Sequence, residues 1–342
     1  MAEESSTASH LSVVMTTNGI DTTPTADGNG MMPNFFSSER LYWRSAVIFI
    51  GVVGTVGNAL ILYALVASKQ HKKHALIVNQ NALDLFSSVF VVVTYAVQLA
   101  NIRLSGVGGY WLCFMIVSEN LIWWGTNGSM VNLAIITIDR YLKVVHAVWS
   151  RKWLRPWMVY SAVAFSWFVG ILYNTAIVAT STKLRRGYCV SYVHDSDVTN
   201  MASMVFYLLF YYILIIVIFI FFYWRILVKI RRQASVMASH GTGGSSTAQV
   251  QNQQIQTNVI KTMILVSALY AIAWLPYNTY AFFASTAVIP LSFGDTGYYI
   301  TSVLAFFYTS ANPFIYATKF KPVKDILRKM IPCKKTPVQP TG

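Results

Sequence analysis

Seven apolar runs, each long enough to cross a bilayer as a helix, leave this chain few folds to choose from. They occupy roughly 44–68, 76–101, 112–145, 156–180, 201–230, 258–285 and 296–318, and a hydrocarbon core needs about 20 such residues in a helix. None alternates polar and apolar residues as a membrane strand does, and each far exceeds the ~10 residues a strand requires. The sequence therefore predicts an all-α membrane protein, a seven-transmembrane helix bundle. Composition agrees, because 55% of the 342 residues are hydrophobic and only 11% are charged, a balance foreign to a water-soluble domain of this length.

A formal charge of +14 raises the question of nucleic acid, and the placement of the charge answers it. Twenty of the 26 Lys and Arg lie in alternate gaps and the C-terminal tail, among them Lys69, Lys72, Lys73, Arg151, Lys152, Arg155, Arg231 and Arg232. The other set of gaps holds Arg40, Arg44, Arg103, Lys183, Arg185 and Arg186 against eight acids. Basic residues accumulate on the cytoplasmic side of short loops, so the N-terminus is expected outside and the C-terminus inside, with membrane lipids and not nucleic acid as the surroundings.

Residues 1–43 form an extracellular tail, Ser/Thr/Gly-rich over most of its length, that is expected to be disordered and lacks a cleavable apolar core, which leaves the first helix to act as the insertion signal. Residues 44–318 form the helix bundle, interrupted at 233–256 by a nearly uncharged Gly/Ser/Gln stretch that reads as a flexible cytoplasmic linker. Residues 319–342 read as an amphipathic basic helix and a cytoplasmic tail.

Several residues do more than insert the chain. Cys113 and Cys189 fall on the outer side and can pair in an oxidising compartment. Cys333 lies inside, beyond the basic helix, where palmitoylation and an ordinary thiol are equally good readings. Asp84 sits in the middle of an apolar run; such a carboxyl either meets polar groups, water or a cation, or is protonated. Asp139, Arg140 and Tyr141 form a cluster at the inner end of the third run. Pro276, two residues after Trp274, and Pro313, after Asn312, each remove a helical hydrogen bond and kink their helices.

In this order the set resembles the rhodopsin-like family of G protein-coupled receptors, over roughly 44–332. The elements are Gly57-Asn58, Asp84, Cys113, Asp139-Arg140-Tyr141, Trp167, Tyr223, Ala273-Trp274-Leu275-Pro276 and Asn312-Pro313-Phe314-Ile315-Tyr316. The resemblance implies a plasma-membrane receptor with no enzymatic activity and a short eighth helix, whose partners are an extracellular ligand and a heterotrimeric G protein. It implies that Asp139 holds Arg140 at rest, that Trp274, Pro276 and the Asn312-Pro313 turn switch the bundle, and that Tyr223 and Tyr316 then rearrange toward Arg140. It also implies an allosteric sodium ion as the one candidate cofactor, a metal site at Asp84 and Ser129.

Departures accompany the matches. Cys113 and Arg140 are 27 residues apart, two more than the family's usual spacing, so an insertion or bulge is expected near 113–125. Ile215 stands where a proline is common, Ala273 where a Cys is common, Gln256 where an acid often locks the Arg, and Tyr308 where an Asn often serves the sodium pocket. No N-glycosylation sequon lies in the first tail.

For the ligand, neither Asn120 nor Ile122 supplies the acid that amine receptors use, and residues 296–318 contain no Lys for retinal, Phe306 taking that place. Glu119, Trp123, Tyr207, Tyr211, Tyr277, Asn278 and Tyr298 are expected to line the ligand cavity. The acidic outer loops, with Asp195, Asp197 and Asp295, lean toward a cationic peptide. A transporter or channel is the competing class, but it would want ionisable residues in several helices and only Asp84 and Glu119 qualify. All six His residues fall in tails, loops or helix ends, which leaves an enzyme no intramembrane metal site.

Overall fold

The computed structural model of the protein describes residues 38–192, 196–239, 247–286, 289, 291 and 293–330. The tail up to residue 37, Asp195 and Cys333 lie outside this set, as do the side chains of Asp197 and Gln256. Nine helices and one hairpin make up the described chain. They are α1 Ser38–Ala67, α2 Ala75–Ala100, α3 Gly106–Val145, the short α4 Ala147–Trp153 and α5 Pro156–Ser181. The strands β1 Lys183–Arg185 and β2 Tyr188–Val190 follow. Helix α6 begins at Asp197, passes through a wide π turn at Leu208–Ile213 and continues to Ser239. Helices α7 Thr247–Thr286, α8 Thr296–Lys319 and α9 Lys321–Met330 complete the chain.

The burial pattern is the reverse of a water-soluble bundle. Along α1, Phe49, Val52, Val56, Leu60 and Tyr63 are exposed while Asn58 is fully buried. Along α5 the outward residues are Trp157, Tyr160, Phe165, Phe168 and Leu172, and the inward ones include Ser166, Gly170 and Asn174. Apolar faces pointing outward fit lipid as solvent, where polar groups must find partners within the bundle.

Among the described residues, six helices are long and apolar enough to cross a membrane by length and composition alone. The seventh expected run, now α8, is a complete helix but too polar to qualify, because Ser302, Thr309, Ser310 and Asn312 are spent on the bundle interior. It packs against α1 and α7, closing a ring in which α3 touches α2, α5, α6 and α7. Close approach of α3 and α5 depends on glycine: a Cβ on Gly170 would stand 2.8 Å from the Gly128 nitrogen.

The 233–256 stretch is more helical than its composition suggests, since α6 runs to Ser239 and α7 starts at Thr247. A Gln-rich segment without Pro has fair helix propensity, and continuation from an anchored helix avoids the cost of a new nucleus. Helix α9 is amphipathic as expected, with Val323 buried and Arg328 and Lys329 outward, and it lies against α1.

Candidate functional site

The outer site starts from the extra length of α3. A π turn at Cys113–Val117 and a left-handed residue, Glu119 at φ 62°, interrupt the helix before it resumes at Asn120. This absorbs the two-residue excess between Cys113 and Arg140. Side chains pair with the carbonyls at the break: Gln98 donates to Val117 O at 3.1 Å, Tyr192 to Ser118 O at 3.0 Å, and Thr94 at 3.2 Å to Ile116 O, which also takes the Glu119 N–H at 2.9 Å. A left-handed non-glycine costs on the order of 1–3 kcal/mol and persists only where neighbours over-determine it; those three bonds do so.

Tyr192 reaches the break from the hairpin loop. Arg186 and Gly187 take positive φ in the two-residue turn, as a type I′ hairpin needs, and β2 places Cys189 in a disulfide with Cys113. Three residues later Tyr192 points into the bundle, and burial there, ahead of the Glu119 charge, pushes its phenol well above the usual range.

The kink turns Glu119 inward. Its carboxylate accepts from the Tyr95 hydroxyl at 3.0 Å and lines a chamber with Trp123, Trp274, Tyr277, Tyr298, Ser302 and Phe306. The Trp123 and Gln98 side chains also act on it as donors and the Arg44 guanidinium is near enough to feel its charge, while the ion pairs within 4.0 Å among the described residues both belong to Asp139. Of the seven expected lining residues, Glu119, Trp123, Tyr277 and Tyr298 come together. Tyr207 stands edge-on behind Trp123 at 6.2 Å, and Tyr211 turns its hydroxyl to Val169 O of α5 at 3.2 Å. Asn278 bonds locally to Trp274 O at 2.8 Å. Missed by the sequence reading were Tyr95 and Trp43, whose indole donates to Ser302 at 2.8 Å.

The second buried acid is Asp84. It accepts from Ser129 at 2.6 Å on one oxygen, and from Asn312 at 2.9 Å and Gln80 at 3.4 Å on the other. A sodium ion needs lone pairs around it, yet two of these three groups present N–H hydrogens. The amide of Gln80 also donates to Ser129 Oγ, so the donor set between Asp84 and Ser129 does not suit a cation in this packing.

At the inner end, Asp139 lies 3.4 Å from Arg140 but 2.8 Å from Lys143, one helical turn on. Tyr141 packs on Phe222 at 4.7 Å. The Tyr223 hydroxyl sits 3.0 Å from both Thr137 and Ser267, tying α6 to α3 and α7. Tyr316 is fully buried, and its hydroxyl has no partner among the described residues. Pro276 and Pro313 lie inside unbroken helices, and Pro313 packs on Gly57, where a Cβ would stand 2.9 Å from its ring.

Residues 57–316 match the family described as 7 transmembrane receptor (rhodopsin family). Among similar proteins, melanopsin-B of Gadus morhua is 23% identical over 84% of this chain and 47% of its own length, so the chain spans about half of that relative. Galanin receptor 2b of Danio rerio is 23% identical over 90% of this chain and 81% of its own length. Somatostatin receptor type 5 of Bos taurus is 22% identical over 84% and 75% respectively. With the matched segment running from Gly57 to Tyr316 through every helix of the bundle, the chain belongs to the rhodopsin family of seven-transmembrane receptors, G protein-coupled membrane receptors and not enzymes.

Proposed function

We propose that this receptor answers to an extracellular peptide that places a cationic group against Glu119, and that it passes the signal to a heterotrimeric G protein through Arg140. The observation that carries the ligand class is Glu119 itself. A carboxylate enclosed mainly by rings, with the Tyr95 hydroxyl at 3.0 Å and the Trp123, Gln98 and Arg44 side chains as its polar neighbours, keeps acceptor capacity toward the chamber. An ammonium or guanidinium would complete it, and Trp123, Tyr277 and Tyr298 offer ring faces to the same charge. Relatives named as receptors for galanin, somatostatin, thyrotropin-releasing hormone and allatostatin-A support a peptide. Melanopsins are similar too, but Phe306 lines the chamber and residues 296–318 hold no Lys for a Schiff base.

In this reading the N-terminus is extracellular, and ligand contact reaches Trp274 through Trp123, 6.0 Å away ring to ring. Release of Tyr223 from Ser267 then lets the inner half of α7 move away from α3 about Pro276. That movement exposes Arg140 to the G protein.

The reconstituted receptor is expected to catalyse nucleotide exchange on a heterotrimeric G protein, and Arg140→Ala to abolish it. Absence of exchange across a panel of heterotrimers, basal and with tissue extracts, would sink the coupling. Peptides paired so that one Lys or Arg is replaced by Gln test the ligand: matched potency across every active pair rules Glu119 out as the counter-ion. An N-terminal epitope readable only after permeabilisation would reverse the orientation.

A further inference from the structure

We propose that the carboxamide of Gln80 takes the place of a cation at Asp84, so that this receptor's buried carboxylate is saturated with hydrogen-bond donors from within and its resting packing does not respond to sodium. The orientation of the amides follows from their partners. The indole N–H of Trp167 can only donate, so the atom of Asn79 that it meets at 2.9 Å is the oxygen. The backbone carbonyl of Leu76 can only accept, so the atom of Asn132 at 3.0 Å from it is the nitrogen.

With those two ends fixed, each remaining amide has one orientation. Asn79 donates to the Asn132 oxygen at 2.9 Å, and Asn132 donates to the Gln80 oxygen at 2.8 Å. Gln80 must then present its nitrogen to Ser129 and Asp84. Ser129, accepting from Gln80, directs its own hydrogen onto Asp84 at 2.6 Å. From α5 through α2 and α3, every bond in the series donates toward the carboxylate, and Asn312 adds one from α8.

Two consequences follow from the direction of the series. Bonds aligned head to tail polarise one another, so the last N–H and O–H at Asp84 carry more positive character than isolated groups would. A cation between Asp84 and Ser129 would meet hydrogens, and turning the Gln80 amide to offer oxygen would set its nitrogen against the Asn132 nitrogen. The members are shut off from bulk solvent, with Gln80, Asp84, Asn132 and Asn312 all at 0% exposure. The side chain of Gln80 therefore supplies neutral donors where an ion would supply charge.

The test uses the full receptor, with sodium itself as the probe. Thermal midpoints are measured in sodium chloride and in choline chloride at equal ionic strength for the wild type, Gln80→Met, Gln80→Ala and each variant combined with Asp84→Asn. The wild type is expected to melt alike in both salts. Gln80→Met keeps length and loses the donor, and it is expected to gain a sodium-dependent rise of a few degrees that Asp84→Asn removes. Gln80→Ala serves the same purpose should the Met variant not fold.

A wild-type midpoint that rises in sodium and loses the rise on Asp84→Asn overturns the proposal. So does a folded Gln80 variant with no sodium response, since another group would then be excluding the ion. These readouts involve no ligand and no G protein, so they stand apart from the signalling assignment.

Discussion

Two carboxylates buried in one bundle meet opposite surroundings. Asp84 accepts from side chains of α2, α3 and α8 and lies at the end of a series of aligned amides. Glu119, a few turns outward, accepts from the Tyr95 phenol at 3.0 Å, has Trp123, Gln98 and Arg44 as its other polar neighbours, and otherwise faces rings. The inner acid is saturated by the fold, which makes it part of what holds the fold. The outer acid is left with unused acceptor capacity, and in a medium without water such capacity is a place for a partner.

The largest test of this contrast removes the saturated acid. Asp84→Leu would leave the donors of Ser129, Gln80 and Asn312 facing methyl groups, at a cost on the order of 3–5 kcal/mol. The expected outcome is a collapse in folded yield or a drop of many degrees in the thermal midpoint. A change under about 1 kcal/mol would mean that the donors find other partners and that the series is incidental.

Next in size is Glu119→Gln, where stability and signalling should part company. The Tyr95 bond survives in the amide, so the midpoint should stay level or rise. Potency of an activating peptide should fall by about 2 kcal/mol or more, roughly 30-fold, because the charge pair in a dry chamber is lost. Dose–response curves beside melting curves check both halves. Equal losses in the two would place Glu119 with Asp84 as a structural group.

A smaller effect separates the end of the series from its middle. Asn132→Leu breaks the link between Asn79 and Gln80 but leaves the direct donors at Asp84 in place, and should cost about 1–3 kcal/mol. It frees the Gln80 amide to turn. A measurable sodium response should therefore appear in this variant as well, weaker than in Gln80→Met.

The contrast between the two acids was only partly legible in the chain. Apolar run lengths fixed the helices because lipid punishes any unpaired backbone, and the loops placed Cys113 and Cys189 on one side. Gln80 lies one helical turn before Asp84, and Lys143 one turn after Asp139, so both neighbours could have been read from their spacing. Asn132 and Asn312 could not, since only tertiary packing brings α3 and α8 to α2. The excess of two residues before Arg140 announced a bulge but not its direction. Whether Glu119 faced lipid or the interior depended on one left-handed residue and on Thr94, Gln98 and Tyr192 around it. Tyr207 and Tyr211 were expected in the cavity, whereas the wide turn of α6 sets them behind Trp123 and against α5.

The smallest expected effect concerns a buried base at the inner rim. His74 precedes α2, stands edge-on to Phe320 at 5.0 Å, and has its pKa pushed down to about 4, by burial first and then by Arg140, Lys73 and Lys143. Its folded pKa lies below the ordinary value, so the unfolded chain takes up the proton first. The stability contribution is complete above roughly pH 6.5 and is lost as pH falls toward 4. By about pH 5 the loss should be about 1 kcal/mol after allowance for partial solvation. Other groups take up protons in the same experiment, so the informative quantity is the difference between the wild type and His74→Gln, which carries no proton to gain. A wild-type midpoint that falls on acidification by a few degrees more than the variant's assigns the loss to the imidazole. Equal falls would rule the imidazole out as the source of the loss.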